Sequence, residues 1–278
     1  MVTYFLYATV LAAVLPLPAA VTSFTIGLNL TLVGVFVSLA YAGRMRPHSE
    51  ALSMARDWLP LAVLILAYRE MGWFAPAEHT FELERSWIIW DRLLLTGWGV
   101  QAGIEALGPV LPACLELCYA LVYAIGPFCL GALYLWGERG RADAFLFRFL
   151  LGAVLSYALF PYFPSEPPRA VFPGENLPAF NSIFRQFNWW LLGGHGIHTS
   201  VFPSAHVSSA YAAAFALFRV MPERKWAGWG ITVLATGIFW ATIYGRYHYV
   251  VDAVAGLFVA IGAFFICDWL ERRFGRLG

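Results

Sequence analysis

Long apolar segments separated by short polar loops constrain this chain more than any other feature. A helix needs about 20 apolar residues to cross the ~30 Å hydrocarbon core of a bilayer, and eight segments approach that length. They are Tyr4–Ala20, Phe24–Tyr41, Trp58–Trp73, Leu111–Trp136, Phe145–Phe163, Ser204–Val220, Ala227–Tyr244 and Tyr249–Leu270. We therefore predict an all-α fold, a polytopic membrane helical bundle of about eight transmembrane helices. Alternatively, one of the first three segments is re-entrant and does not cross the membrane.

Composition supports the membrane class and excludes one kind of partner. Hydrophobic residues make up 60% of the chain and charged residues 13%, whereas soluble domains carry roughly 25% charged residues. The 18 Lys and Arg residues nearly balance the 17 Asp and Glu residues. Because no basic excess is present to attract phosphate backbones, we expect no nucleic-acid partner.

Basic residues gather in three loops and at the C-terminus, as the positive-inside rule expects of cytoplasmic segments. These residues are Arg44, Arg46, Arg56, Arg139, Arg141, Arg148, Arg219, Arg224, Lys225, Arg272, Arg273 and Arg276. With eight spans, all four groups lie on one face. We therefore predict an integral protein of a bacterial inner membrane with both termini cytoplasmic. The segments Pro164–Pro203 and Tyr244–His248 then share the non-cytoplasmic face.

We expect three regions along the chain. Residues 1–110 would hold N-terminal transmembrane helices and an interfacial amphipathic segment, because the stretch Phe74–Val110 mixes tryptophans with charges, and tryptophan favours the membrane interface. Residues 111–270 would form the membrane core that holds the histidines, and residues 271–278 a cytoplasmic tail.

The segment from Phe202 to His206 precedes the sixth apolar run. Ser204 is a natural N-cap for that helix, and a helix N-terminus offers free N–H groups to a phosphate. His206 in the first turn would then be placed to give a proton to a leaving oxygen. The alternative is an ordinary capped helix with an interfacial histidine.

His248 and Asp252 are four residues apart at the start of the eighth run, so they share a helix face. The carboxylate is placed to accept the Nδ1 proton of His248, which leaves Nε2 as a nucleophile. The alternative is a helix-capping pair within an aromatic belt. Arg169, in a proline-rich turn after the fifth run, would present its planar guanidinium to phosphate oxygens, or else snorkel to the interface.

Together these elements resemble the type 2 phosphatidic acid phosphatase superfamily, which shares its helical core with vanadium haloperoxidases. The resemblance covers roughly residues 111–270. The family motif Pro-Ser-Gly-His is matched by Pro203–His206, with Ala205 in place of glycine, and the motif His-x-x-x-Asp is matched by His248 and Asp252.

The resemblance implies a role for each matched residue. His248 would attack phosphorus and form a phosphohistidine, while Asp252 orients it. His206 would protonate the leaving group, and Ser204 and the backbone N–H of Ala205 would hold phosphate oxygens.

Two customary cations of the family are missing. The position six residues before His248 is Thr242 instead of arginine, and the position expected to be lysine is Tyr162. Arg246 is the candidate that replaces one of them as a phosphate ligand. A His-His-Asp set without these cations resembles the inositol phosphorylceramide synthase and sphingomyelin synthase branch, which moves phospho-headgroups between lipids.

We therefore expect a lipid phosphotransferase that moves a phosphoryl group or phospho-headgroup from a phospholipid donor to a lipid or polyol acceptor. The alternative is a lipid phosphate phosphatase acting on phosphatidate-type or polyprenyl phosphates at the outer face. Two other classes are a vanadate-binding oxidoreductase and a transporter or inactive scaffold. The retention of His206, His248 and Asp252 argues against a scaffold.

No metal and no cofactor are expected at this site, because no carboxylate pair is evident to hold magnesium. His195 and His198 have a spacing seen in some metal sites, but no third ligand accompanies them. They lie in the segment Glu175–Ser200, which would either close over the site and select the acceptor or rest on lipid headgroups.

Overall fold

The computed structural model describes residues 1–75, 79–197 and 199–275, and only the backbone of residues 194 and 195. Within these ranges the chain is helical and contains no strand. The helices are α1 Val2–Val14, α2 Ala19–Met45, α3 Glu50–Phe74, α4 Glu82–Asp91, α5 Val100–Ala106, α6 Val110–Leu135, α7 Ala142–Leu159, α8 Pro168–Val171, α9 Ile183–His195, α10 Ala205–Val220, α11 Lys225–Tyr244 and α12 Val250–Phe274. A π-helical turn, Arg92–Gly97, joins α4 to α5. The all-α prediction is confirmed.

Among the described residues, six helical segments are long and apolar enough to cross a membrane: Ala19–Met45, Glu50–Phe74, Val110–Leu135, Arg139–Tyr162, Pro222–Tyr244 and Val250–Phe274. The predicted count of eight is not confirmed. The first predicted span forms only the 13-residue α1. The sixth forms the 16-residue α10, which at about 1.5 Å per residue is roughly 24 Å long.

Two compact units divide the described chain between Phe74 and residue 75. The first unit contains α1, α2 and α3. Within it, the Tyr4 hydroxyl donates to the Ala67 carbonyl oxygen at 2.9 Å, and Asn29 donates to Glu70 at 2.5 Å. Hydrogen bonds between polar side chains commonly join helices within membranes.

The second unit begins at residue 75, so it contains α4 and α5 together with the histidine-bearing helices. The sequence-based division at residue 110 assigned α4 and α5 to the N-terminal region, and this division stays a prediction. In this unit α10 packs against α6, α7, α11 and α12. Its buried face is rich in alanine, and small residues let neighbouring backbones approach closely. At Gly152 of α7, an added Cβ would collide with the side chain of Ala212.

One end of the second unit carries a cluster of ion pairs. Arg148 near the start of α7 and Arg219 near the end of α10 both pair with Asp268 and Glu271 near the end of α12. The histidines lie at the starts of α10 and α12, at the other end of these helices. The ion pairs and the histidines therefore lie at opposite ends of these helices, and the assignment of one end to the cytoplasm stays a prediction.

Candidate active site

The start of α10 places Ser204 and His206. Ser204 caps the helix, because its side-chain oxygen accepts from the backbone N–H of Val207 at 3.4 Å. Its own N–H donates to the carbonyl oxygen of Asp252 at 2.9 Å. Gly256 permits this close approach of α12, since an added Cβ would collide with the Ser204 carbonyl oxygen. The two predicted motifs are therefore joined through their backbones. Ala205, the first residue of α10, is buried beside them.

A tight turn between α11 and α12 presents His248. The backbone N–H groups of Tyr247 and His248 both donate to the carbonyl oxygen of Thr242 at 2.9 Å. Arg246 within the turn has a φ of 63°, a left-handed conformation that is uncommon for a residue with a side chain. Such backbone strain often accompanies functional sites. Thr242, found where the resemblance expects arginine, is fully buried and helps shape this turn.

The imidazole of His248 is held by a backbone carbonyl. Its Nδ1 lies 2.9 Å from the carbonyl oxygen of Val201 and 3.4 Å from a carboxylate oxygen of Asp252. A carbonyl oxygen only accepts, so Nδ1 carries the proton and Nε2 has the lone pair. The same carboxylate oxygen of Asp252 accepts from the N–H of Tyr249 at 2.8 Å. Asp252 thus caps α12 while lying beside the histidine.

Burial keeps His248 uncharged. Only 6% of the residue is exposed, and desolvation lowers its pKa well below the ordinary 6.5, with the positive charges of His206 and Arg169 acting in the same direction. An imidazole that is neutral at pH 7 is available as a nucleophile.

His206 and His248 face one another within an aromatic cluster. Their ring centroids are 5.6 Å apart. The ring of Tyr119 stacks on His206 at 4.9 Å and on Tyr247 at 4.0 Å. The Tyr123 hydroxyl lies 3.3 Å from His206 Nε2. The two imidazoles therefore lie in edge-to-face contact at one end of the helical core.

Arg169 lies beside these histidines. Its guanidinium donates to the carbonyl oxygen of Tyr247 at 3.4 Å and lies 5.5 Å from the centre of the Tyr247 ring. Tyr247 directly precedes His248, and the charge of Arg169 reaches His248 strongly enough to lower its pKa. The structure therefore brings Arg169, Ser204, His206, His248 and Asp252 together.

Arg246 is placed differently from the expectation. It is fully buried and pairs with Asp91 at 2.5 Å. The other carboxylate oxygen of Asp91 accepts from the N–H of Val250 at 2.8 Å. Since the ion pair anchors the start of α12 to α4, this geometry favours a structural role for Arg246, and its role as a phosphate ligand stays a prediction. Tyr162, at the position expected to be lysine, is largely exposed.

Glu116 is a residue that the sequence analysis missed. Its carboxylate accepts from Arg185 at 2.7 Å, from Asn188 at 2.8 Å and from the Tyr247 hydroxyl at 2.6 Å. These contacts join α6, α9 and the turn before His248. A lone carboxylate within the apolar run of α6 was the available signal, because ionisable residues within membrane helices are expensive to bury. No side-chain pattern marks the Val201 carbonyl, which belongs to the backbone.

The possible metal pair falls largely outside what the structure describes. His198 lies outside the described residues, and the side chain of His195 is not among those described. Of the segment Glu175–Ser200, residues 183–195 form α9.

The fold and the site define a helical integral membrane protein with two facing histidines at one end of its core. Residues 88–266, more than half of the chain, match the model of a family described as the PAP2 superfamily. The chain belongs to this superfamily. Membership supports an enzyme of the lipid phosphatase or phosphotransferase kind.

The chain is also similar to a PA-phosphatase related-family protein of Dictyostelium discoideum, with 27% identity over 133 residues. The matched region is 46% of this chain and 23% of the relative, so the chain matches about a quarter of the length of this curated relative. No solved structure matched the chain.

Proposed function

We propose that this chain is a lipid phosphotransferase that works through a phosphohistidine at His248, as inositol phosphorylceramide synthase-like enzymes would. The observation that supports it most directly is the hydrogen bond from His248 Nδ1 to the Val201 carbonyl oxygen, with the ring of His206 opposite. This arrangement leaves Nε2 of His248 as a lone-pair nitrogen beside a proton donor.

In the first step, Nε2 of His248 attacks the phosphorus of the donor lipid. Burial and the charge of Arg169 lower the pKa of His206 to about 4 in the free protein, and the negative charge of a bound phosphate group beside the ring would raise that pKa. The bond between phosphorus and the leaving oxygen breaks, and His206, protonated in this complex, gives its proton to that oxygen. In the second step, an acceptor hydroxyl attacks phosphorus, its proton passes to His206, and the P–N bond breaks. His248 returns to its neutral form, and the headgroup has moved to the acceptor.

Phosphoryl transfer depends mainly on positioning the reactants and on stabilising the charge of the transferred group. Arg169 supplies a cation near His248, and the start of α10 supplies the backbone N–H of Ala205. Asp252 lies where it would stabilise the positive charge that develops on His248 during attack.

The low exposure of His248 and its aromatic surroundings support transfer to an alcohol over hydrolysis, because the acceptor must displace water from an enclosed site. The second candidate is a lipid phosphate phosphatase, in which water attacks the phosphohistidine. The printed name of the Dictyostelium relative supports that alternative.

The deciding experiment follows labelled phosphate and headgroup from a panel of phospholipids in mixed vesicles, with and without inositol, ceramide and diacylglycerol, in the presence of a metal chelator. Acceptor-dependent formation of a new phospholipid without free phosphate is the expected result. Free phosphate without an acceptor would instead identify a phosphatase.

Acid-labile label on the protein tests the intermediate. We expect it in the wild type and in His48→Ala, an exposed loop histidine, but not in His248→Ala. Labelling that survives in His248→Ala, or turnover that disappears on chelation, would contradict the mechanism.

A further inference from the structure

The helix α9 (Ile183–His195) has one buried polar side and one exposed apolar side. Arg185 and Asn188 face inward and are buried, and both bind Glu116 of α6. Ile183, Phe187 and Trp190 are 74%, 47% and 65% exposed. At about 100° per residue, these three side chains fall within an arc of roughly 60° on the helix. A helix that packs on an apolar core has the opposite arrangement, with its apolar side buried and its polar side exposed.

Hydrogen bonds fix the position of α9 along α6. Glu116 is the seventh residue of α6, which begins at Val110, so it lies roughly 9 Å along that helix. Because α6 is one of the six candidate spans, α9 packs on it near one end of the span, where a lipid headgroup layer would lie. Helices with an exposed apolar stripe and tryptophan lie in that layer.

The same cluster links α9 to the catalytic turn. Glu116 also accepts from the hydroxyl of Tyr247, the residue before His248, and Leu192 of α9 packs on the cluster that contains Tyr119 and Tyr247. Hence the same contacts hold both α9 and the turn before His248, and they fix the position of α9 relative to His248 along the axis of α6.

We propose that the exposed face of α9, formed by Ile183, Phe187 and Trp190, binds the surface of the lipid bilayer and sets its headgroup layer level with His248. The occupant is lipid, because the stripe is uncharged, contains tryptophan and lies on a helix that packs against the candidate membrane span α6. The consequence for turnover rests on the proposed function, whereas the lipid contact does not.

The lipid contact is tested by fluorescence in vesicles with and without brominated acyl chains. The chain has 12 tryptophans, so the contribution of Trp190 is taken as the difference between the wild type and Trp190→Phe. We expect brominated lipid to quench this difference signal. An unquenched signal would overturn the proposal. If an unquenched signal came with dimers cross-linked through Phe187→Cys, the face would belong to a second copy of the chain.

The effect on turnover is tested with two adjacent variants that each add one negative charge. Phe187→Asp alters the stripe, and the matched control Gln186→Asp alters an exposed polar position outside it. We expect Phe187→Asp to slow turnover of vesicle-borne phospholipid about tenfold and to leave a dissolved short-chain phospholipid within about twofold. Gln186→Asp should leave both rates unchanged.

Equal losses on both substrates, or no loss on either, would overturn the proposal. If the wild type turned over neither substrate, the proposed function would fail, and the quenching result would still decide whether α9 contacts lipid.

Discussion

His248 donates its Nδ1 proton to the backbone carbonyl oxygen of Val201 at 2.9 Å, whereas the nearest carboxylate oxygen of Asp252 lies at 3.4 Å. Val201 precedes the first histidine motif, so one motif fixes the tautomer of the histidine in the other. The Asp252 carboxylate shares its oxygen with the N–H of Tyr249. Orientation of the nucleophile thus depends on the backbone before α10 as well as on the neighbouring carboxylate.

Asp252→Asn should slow turnover by about 10²–10³-fold with little change in KM, because it removes the negative charge that stabilises the imidazolium formed during attack. Val201 still holds the tautomer, and the asparagine oxygen still caps α12, so the variant should fold. Steady-state kinetics in vesicles measures the effect. Turnover equal to that of the wild type would exclude a catalytic role for the charge.

The value of kcat/KM should stay high as pH falls through 6.5 and should decrease only at lower pH. Burial lowers the pKa of His248 well below that ordinary value, so the neutral nucleophile persists into the acid range. In Arg169→Gln the acidic limb should move to higher pH, because removal of a neighbouring positive charge makes protonation of His248 easier.

Arg92→Gln serves as the control for that shift. Arg92 is an exposed cation that pairs with Glu175, so its loss should leave the acidic limb in place. An acidic limb that lies above pH 6.5 in the wild type, or that Arg169→Gln leaves unmoved, would contradict the assignment of His248.

Asp91→Asn should lower the free energy of unfolding by about 3–5 kcal/mol, because it leaves the buried guanidinium of Arg246 without its counter-charge. Glu175→Gln disrupts the Arg92–Glu175 pair, whose side chains are 51% and 37% exposed, and should cost less than about 1 kcal/mol. Equilibrium unfolding in mixed micelles measures both values. Equal losses in the two variants would show that the Asp91–Arg246 pair does not stabilise the fold.

Gly256→Ala should destabilise the protein by about 1–3 kcal/mol and slow catalysis, because its Cβ would push α12 away from the Ser204 carbonyl oxygen at the start of α10. Gly262→Ala on the same helix is the matched control, since no atom lies within 4 Å of its added Cβ. Thermal melts and turnover of both variants provide the comparison. A Gly256→Ala enzyme as stable and active as Gly262→Ala would refute close packing at this contact.

Much of the fold follows from local patterns along the chain. Apolar runs of spanning length predict the long helices, because lipid excludes unpaired backbone groups. The count of eight spans stays a prediction, because Ser204–Val220 forms the 16-residue helix α10, which is packed against four other helices of the second unit. A helix that is buried among other helices and a helix that faces lipid are both apolar, so their sequence patterns are the same.

The sequence by itself determined the Ser204 cap and the shared helix face of His248 and Asp252, because both are short-range features. Only the tertiary structure decided what holds them. Val201 is 47 residues from His248, Asp91 is 155 residues from Arg246, and Glu116 is 131 residues from Tyr247. Contacts between such distant residues depend on how helices pack, and a buried charge takes whichever partner that packing brings within reach.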